Sequence, residues 1–306
     1  MRWFDKADFD FLGNRKWAYA WSLATIIFAL VVILVKGLQF GIDFTGGKEF
    51  VLQFEKAPEI TKVRDVLTGE LATAPLVKTY GSSTEIVIRT AEEGTLSDVE
   101  QKIRDGLQQI YPDNKITVEK SSLVGARFAQ DLQKAAINAV IFALIIIGIY
   151  IFIRFKSWTY AVAACYGLAH DVFIVLGILT FLSGMLPFNL HIGQTLVAAF
   201  LTIVGYSIND TVVVYDRVRE RLNTHKTEGF METVNKGMND TLSRTVLTSV
   251  TTFFAALVLF IFGGQTLKGF SLALMIGLVT GTYSSIFMAT SIAVDLERLT
   301  GRVKEP

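Results

Sequence analysis

The chain has 306 residues, of which 51% are hydrophobic and 19% are charged. Together with 24 glycines, this apolar share exceeds that of an ordinary soluble domain and indicates a membrane protein. A net charge of +1 without a long basic run argues against nucleic acid as a partner, and the single cysteine, Cys165, excludes an intrachain disulfide and a multi-cysteine metal site.

Six apolar segments are long enough to cross a bilayer as helices, because a hydrocarbon core about 30 Å thick needs about 20 helical residues. They are residues 17–35, 135–153, 158–182, 190–215, 246–262 and 269–294. The sequence therefore predicts an α-helical membrane protein with six transmembrane helices, in contact with lipid. The first segment lacks a small-residue cleavage site and is expected to remain as an anchor.

Lysine and arginine near the ends of these segments predict the orientation. Most of them fall on one side if the N-terminus is inside, whereas the two short outer loops contain only Lys268. The expected layout is a cytoplasmic N-terminal segment (1–16), a first span (17–36), a periplasmic domain (37–134), five further spans (135–294) with a cytoplasmic loop at 217–243, and a cytoplasmic C-terminal tail (295–306).

The predicted periplasmic domain alternates between strand and helix patterns. Residues 49–55 alternate as a half-buried strand, and apolar residues at 60, 63, 67 and 71 repeat at helical spacing. Strands at 77–80 and 85–89 flank a turn at 81–84, Thr95 and Asp98 have capping-box spacing before a helix, and residues 115–119 alternate again. The order βαββαβ predicts a small α+β domain of the ferredoxin-like type.

Two pairs of glycines have candidate structural roles. Gly46 and Gly47 lead from the first span into the first predicted strand, either as a tight backbone approach or as a simple turn. Because so few residues join them, we expect the domain and the first span to be coupled. Gly277 and Gly281 form a GxxxG pattern in the last segment, which allows close helix packing without identifying a partner.

Asp171 and Asp210 are the charged residues within the six apolar segments. A carboxylate at such a position is costly, so we expect Asp210 to face the bundle interior and to have a partner. Arg244, at the entrance of the antiparallel fifth segment, is the expected partner. Burial favours a protonated carboxyl and a nearby guanidinium favours the carboxylate, so relative movement of the pair would take up or release a proton. The alternative is a permanent ion pair that fixes helix register.

Asp171 follows His170 near the middle of the third segment. It is either a second carboxylate of a proton relay or a helix-packing residue bonded to Asn138, Asn209 or His170. Zinc-protease, serine-hydrolase and phosphate-loop motifs are absent from the sequence, which indicates no enzyme, no metal and no cofactor. Two membrane aspartates also suggest an aspartyl protease, but the Gly-x-Gly-Asp of such enzymes is missing.

Several motifs together resemble a known family. They are residues 9–15 (FDFLGNR), 41–47 (GIDFTGG), 170–172 (HDV), 205–211 (GYSINDT), 216–217 (DR), 242–249 (LSRTVLTS), 262–264 (FGG) and 281–285 (GTYSS). Spread over nearly the whole chain, they resemble the SecF family, which forms the smaller subunit of the SecDF protein-export complex in the RND superfamily of transporters.

This resemblance implies half of an RND-type bundle that pairs with SecD, binds the SecYEG channel with YajC in the bacterial inner membrane, and uses the proton-motive force to move preproteins. It also implies that Asp210 and Arg244 are the family's essential membrane carboxylate and arginine. Two alternatives stay open: half of a small-molecule or lipid exporter, and a passive scaffold of the translocon. The predicted outer domain of 98 residues is small for a ligand-enclosing exporter.

Overall fold

The computed structural model describes residues 8–186 and 188–301, so residues 1–7 and 302–306 of the predicted terminal segments lie outside the described residues. Within this part of the chain, six helices are long and apolar enough to span a membrane: α1 (Arg15–Lys36), α5 (Ala126–Phe155), α6 (Trp158–Leu182), α7 (Gln194–Thr224), α8 (Phe230–Phe262) and the last span Leu267–Leu299. The predicted six-span helical architecture is confirmed.

Three helices extend well beyond the apolar segments that predicted them. Helix α5 begins at Ala126 rather than at residue 135, and α8 begins at Phe230 rather than at 246. Helix α7 continues to Thr224, so most of the predicted cytoplasmic loop 217–243 is helical. Apolar length reports only the turns that face lipid, whereas polar turns prolong the helices into water, where pairs such as Lys236–Glu232 (2.7 Å) support them.

The domain between α1 and α5 has the predicted order βαββαβ. After a single short turn of helix, α2 (Ile42–Thr45), its elements are β1 (Gly47–Phe54), α3 (Ile60–Glu70), β2 (Leu76–Tyr80), β3 (Ser82–Thr90), α4 (Leu96–Ile110) and β4 (Ile116–Val124). The antiparallel sheet has the order β2-β3-β1-β4, as in ferredoxin-like domains. Strand β3 begins at Ser82, so the predicted turn at 81–84 is shortened to Gly81, which has a φ of 79°.

One face of the sheet and the two helices α3 and α4 enclose the core of this domain. Its buried side chains alternate along the strands and repeat at helical spacing on the helices, as the sequence predicts; they include Phe50, Leu52, Phe54, Val63, Leu67, Ile86, Ile88, Val99, Ile103 and Leu107. Helix α4 begins with the predicted capping box, in which Thr95 and Asp98 bond each other's backbone N–H groups.

The opposite face of the sheet lies over the ends of the membrane helices at which α6 stops and α7 begins. Arg89 on β3 contacts His191 in the loop between α6 and α7, and Nζ of Lys78 on β2 lies 3.2 Å from Nε2 of the same histidine. A side chain at Gly81 would collide with Gln265, at the start of the last span. The domain is therefore docked on the bundle through several side chains.

Helices α6, α7 and the last span form the interior of the membrane bundle, and α1, α5 and α8 lie at its periphery. Helix α7 contacts both α8 and α9 (Gly264–Tyr283), the first part of the last span. The last span then has a π-helical segment, Ser284–Ala289, before α10 (Thr290–Leu299). This central position of α7 sets the surroundings of Asp210, which it carries.

Candidate functional site

Asp171 on α6 is fully buried and accepts hydrogen bonds from two other helices. The hydroxyls of Ser207 on α7 and Ser284 in the π-helical segment both donate to Oδ2 at 2.7 Å. Its other oxygen, Oδ1, lies 3.1 Å from Nδ1 of His170, which was one of its three predicted partners. The other two, Asn138 and Asn209, are exposed. Asp171 thus connects three spans through its carboxylate.

Asp210 on α7 faces α8 and is 7% exposed. Its Oδ2 accepts a hydrogen bond from Ser249 at 3.3 Å, and its Oδ1 a longer one from Thr248 at 3.5 Å. Ser249 in turn accepts a 2.6 Å hydrogen bond from Thr282 of the last span. The predicted placement of Asp210 inside the bundle, against polar residues of the fifth span, agrees with this geometry.

Arg244 does not form the direct ion pair with Asp210 that the sequence suggested. Among the described residues no salt bridge joins the two side chains, and the Arg244 side chain is exposed on α8. Thr248, one turn after Arg244 on α8, lies within hydrogen-bonding distance of the carboxyl group instead.

Asp171 on α6 is hydrogen-bonded to α7 within one turn of Asp210. Ser207, which bonds Asp171, is three residues before Asp210, or about 4.5 Å along a helix axis. Thr211 on the same helix donates to Ser285 at 2.9 Å, and Ser285 donates to the backbone carbonyl of Ser207 at 3.0 Å. Hydroxyl groups of α7 and the last span therefore surround the region between the two carboxyl groups.

Polar side chains beside Asp210 and Thr248 are exposed on α7 and α8. Tyr206 and Asn209 on α7 are exposed next to Asp210, and Arg244 and Thr251 are exposed on α8. We call these four residues the polar membrane face. In lipid such a face is unfavourable, because the charge of Arg244 and the amide of Asn209 would face hydrocarbon instead of water.

The four predicted glycines allow close approach at two places, between α7 and the last span and at the junction of the α+β domain with the membrane helices. A Cβ at Gly277 would collide with the side chain of Ile203 on α7, and one at Gly281 would lie 3.2 Å from Ser207. At the domain junction, a Cβ at Gly46 would lie 2.9 Å from Ala126, and one at Gly47 would lie 2.9 Å from the carbonyl oxygen of Thr90. Gly46 and Gly47 have φ values of 74° and 114°, so the tight-approach alternative fits their geometry.

Sequence reasoning missed the hydroxyl partners. Ser207, Ser249, Thr282 and Ser284 lie within motifs of the family resemblance, but the residues alone did not mark them as partners of the aspartates, because a membrane serine indicates packing as readily as a hydrogen bond. Their spacing from the aspartates along the chain is long, and only the helix packing brings them together. In the described residues, no three histidine, cysteine or acidic side chains cluster in a way that would hold a metal ion.

Two family models match the chain. Residues 103–299 match the family described as protein export membrane protein SecD/SecF, C-terminal, and residues 31–58 match the SecD/SecF GG motif. The protein translocase subunit SecF of Rhodothermus marinus is 48% identical over 97% of this chain and 96% of its own length. The SecF subunit of Calditerrivibrio nitroreducens is 39% identical with the same coverage.

Solved structures of SecDF share the fold. The crystal structure of SecDF, a translocon-associated membrane protein from Thermus thermophilus, has a TM-score of 0.84 at 33% identity and covers 97% of this chain. A crystal structure of SecDF in the super-membrane-facing form has a TM-score of 0.70 at 32% identity. The chain spans 40% of each of these longer chains. With near-complete coverage by its SecF relatives, the chain belongs to the SecF family, the SecF subunits of the SecDF protein translocase.

Proposed function

We propose that this chain uses the proton-motive force to promote preprotein translocation through the SecYEG channel. It does so as a non-enzymatic subunit that pairs with SecD and acts with YajC in the bacterial cytoplasmic membrane, with both termini in the cytoplasm. Asp210 carries the coupled proton, Arg244 responds to its charge, and Asp171 is the second carboxyl of the relay.

The observation that carries this proposal is the position of Asp210 between α7 and α8. The carboxyl group is almost buried, and the groups within hydrogen-bonding distance of it in the described residues are the neutral hydroxyls of Thr248 and Ser249. A hydroxyl can donate to a carboxylate or accept from a protonated carboxyl. These hydroxyls can therefore hydrogen-bond both the charged and the protonated form of Asp210, and no ion pair has to break when the proton binds.

Arg244 provides the means by which the proton changes the structure. A charged Asp210 attracts the guanidinium toward the α7–α8 contact, whereas a protonated Asp210 does not, so the two states favour different packings of these helices. A proton that crosses the membrane delivers about 2.3 kcal/mol per 100 mV. About 1.4 kcal/mol changes an equilibrium tenfold, so one proton suffices to shift the preferred packing.

SecD is the proposed occupant of the polar membrane face. The charge of Arg244 and the amide of Asn209 are exposed at the level of the bilayer. A partner that presents a complementary polar surface would remove the cost of exposing these polar groups to lipid. It would also enclose a narrow hydrated route to Asp210. The SecDF relatives with known structure contain a longer chain in which a region like this one is joined to further sequence.

The two SecDF structures also support a mobile arrangement. Their identities to this chain are nearly equal, 33% and 32%, but their TM-scores are 0.84 and 0.70. Sequence divergence does not account for this difference, so the relatives adopt at least two arrangements of the same fold. A proton-driven subunit requires such alternatives.

The test is preprotein translocation into membrane vesicles with and without an imposed proton gradient. We expect Asp210→Asn and Arg244→Met to abolish stimulation by the gradient while assembly with SecD stays normal. Asp216→Asn is the matched control, because Asp216 lies on the same helix but pairs with Arg154 at 2.9 Å near the helix end. Its gradient stimulation should equal that of the parent.

Unchanged stimulation in Asp210→Asn with normal assembly would exclude proton coupling through this residue and would favour the passive scaffold. Stimulation of small-molecule efflux in place of preprotein translocation would favour the exporter half.

A further inference from the structure

The segment Gly41–Gly47, here called the GG segment, contacts several separate parts of the molecule. It follows α1 through a short linker and leads directly into β1. Gly46 packs on Ala126 at the start of α5, and Gly47 packs on the carbonyl oxygen of Thr90 at the end of β3. The carboxylate of Asp43, in the same segment, accepts a 3.0 Å hydrogen bond from the backbone N–H of Gln194, the first residue of α7.

The contact of Asp43 with α7 is specific in its chemistry. Gly193 is the N-cap of α7 and has no side chain to accept the free N–H groups of the first turn. The first turn also contains no acidic residue, although a negative charge there is favourable. A Cβ at Gly193 would lie 2.5 Å from Oδ2 of Asp43, so the glycine leaves the space that the carboxylate occupies. Asp43 thus caps α7 from another part of the chain.

Backbone bonds hold the same two segments together beside this contact. The N–H of Gly41 donates to the carbonyl of Ile192 at 2.9 Å, and the N–H of Ile192 donates to the carbonyl of Gln39 at 2.8 Å. The GG segment and the residues before α7 therefore form a short two-stranded pairing, to which Asp43 adds a charged side-chain contact.

Beside this junction, the domain and the bundle enclose an open space and also meet through Arg89 and His191. A polar cavity of about 370 Å³ lies between them, lined by Arg89, Lys120, Gln194 and Gln265 among others. The Asp43 contact is placed at its edge, where the junction is continuous with both α7 and β1. Because the junction is joined to both α7 and β1, a displacement of α7 can reach the domain through it.

We propose that Asp43 is a positioning residue that couples α7 to the outer domain. Asp210 lies on the same helix as Gln194, and an α-helix transmits displacement along its axis because its backbone bonds are continuous. Movement of α7 at Asp210 therefore shifts the GG segment, which carries β1 with it. This inference rests on the proposed function for its driving force, but the Asp43–α7 tether is testable without a proton gradient.

The test separates a tether from a simple helix cap. Asp43→Ala removes the acceptor, and Gly193→Ser added to it supplies a cap within α7 itself, at an extended backbone position that suits serine. Without the Asp43 carboxylate, the new side chain has room. We expect Asp43→Ala to speed hydrogen exchange of the Gln194 amide by roughly fivefold, since a cap contributes about 1 kcal/mol. The double variant should slow exchange at Thr195 or Leu196 instead, because a serine N-cap accepts from the second or third N–H of the helix.

The tether itself is measured as the distance between spin labels at Thr68 on the domain and His225 at the end of α7, both exposed, after replacement of Cys165 by serine. We expect Asp43→Ala to broaden the distance distribution and the double variant to keep it broad, although its helix is capped again. Gradient-stimulated translocation should likewise stay low in the double variant.

A double variant that recovers the narrow distance distribution would overturn the inference, because Asp43 would then act only as a cap. Unchanged amide exchange in Asp43→Ala would also overturn it. Failure of gradient stimulation in the parent protein would contradict the proposed function, whereas the label distances would still decide whether the tether exists.

Discussion

Asp171 and Asp210 show how two buried carboxyl groups of one bundle differ by their partners. Asp171 is fully enclosed and has short bonds to two serines and a contact to His170. Asp210 has two longer bonds and lies at the edge of the exposed polar membrane face. Tight bonding holds Asp171 between three helices, whereas looser bonding leaves Asp210 able to exchange partners. This difference fits Asp210 as the carboxyl that carries the coupled proton, with Asp171 as the second carboxyl of the proposed relay.

His191 predicts a pH dependence of the docked domain. Burial, together with Arg89 and Lys78, lowers the pKa of His191 from 6.5 to about 3. The folded protein therefore binds a proton at His191 less well than the unfolded chain does. The contribution of neutral His191 to the free energy of unfolding is complete above pH 6.5 and is lost as the pH falls toward 3. The loss is about 1.4 kcal/mol for each pH unit within this window.

We expect His191→Gln to reduce the fall in Tm between pH 6.5 and pH 5, measured for the protein in detergent, because glutamine takes up no proton. His225→Gln is the control, since His225 is exposed beyond the end of α7 and does not touch the domain. A parent protein whose Tm is independent of pH in this range would contradict the assigned environment of His191.

At the scale of helices, Gly277 sets the separation of α7 and α9. Its missing side chain admits Ile203, and Gly277→Ala would place a carbon well inside the contact distance of that residue. We expect Gly277→Ala to lower the free energy of unfolding by about 1–3 kcal/mol, because overpacking forces the two helices apart. Thermal unfolding in detergent measures this loss of stability.

Gly205→Ala is the matched control for helix propensity. Gly205 lies on α7 with nothing within 4 Å of the place that a Cβ would take, so alanine there should stabilise the protein by up to about 1 kcal/mol. Equal destabilisation by both substitutions would show that the GxxxG face does not carry the close contact.

The helices also show what the sequence could and could not predict. Apolar length located all six spans, and alternation with a capping box located the outer domain, because both signals are local. The polar extensions of α5 and α8 escaped hydropathy, since they face water or protein instead of lipid. The π-helical segment beside Asp171 was also unforeseen, because it depends on which helices meet.

For the candidate site, the sequence identified the two membrane aspartates but mispaired one of them. The cost of burying a charge predicted that Asp210 turns inward, and it does. The same argument chose Arg244 as a direct partner, whereas Thr248 and Ser249 occupy that place. A buried carboxylate forms a direct ion pair only where no nearer hydroxyl groups are available to donate hydrogen bonds to it.

At the scale of the whole molecule, the bundle has two kinds of membrane surface. Helix α5 presents apolar side chains such as Ile146, which is 64% exposed and suited to lipid. The polar membrane face of α7 and α8 presents Asn209 and Arg244 instead. Because exposed polar groups at membrane level are costly, the proposed contact with SecD predicts that the two surfaces respond differently to that subunit.

We expect a spin label at Asn209 to lose collisions with dissolved oxygen, which concentrates in lipid, when SecD is co-reconstituted, because SecD covers that position. A label at Ile146 is the control and should keep its collision rate, because α5 continues to face lipid. The labels report burial directly and need neither a gradient nor a preprotein. Equal protection at both positions would indicate non-specific association, and unchanged collisions at Asn209 would show that SecD binds elsewhere and leaves the charge of Arg244 to be compensated by lipid or water.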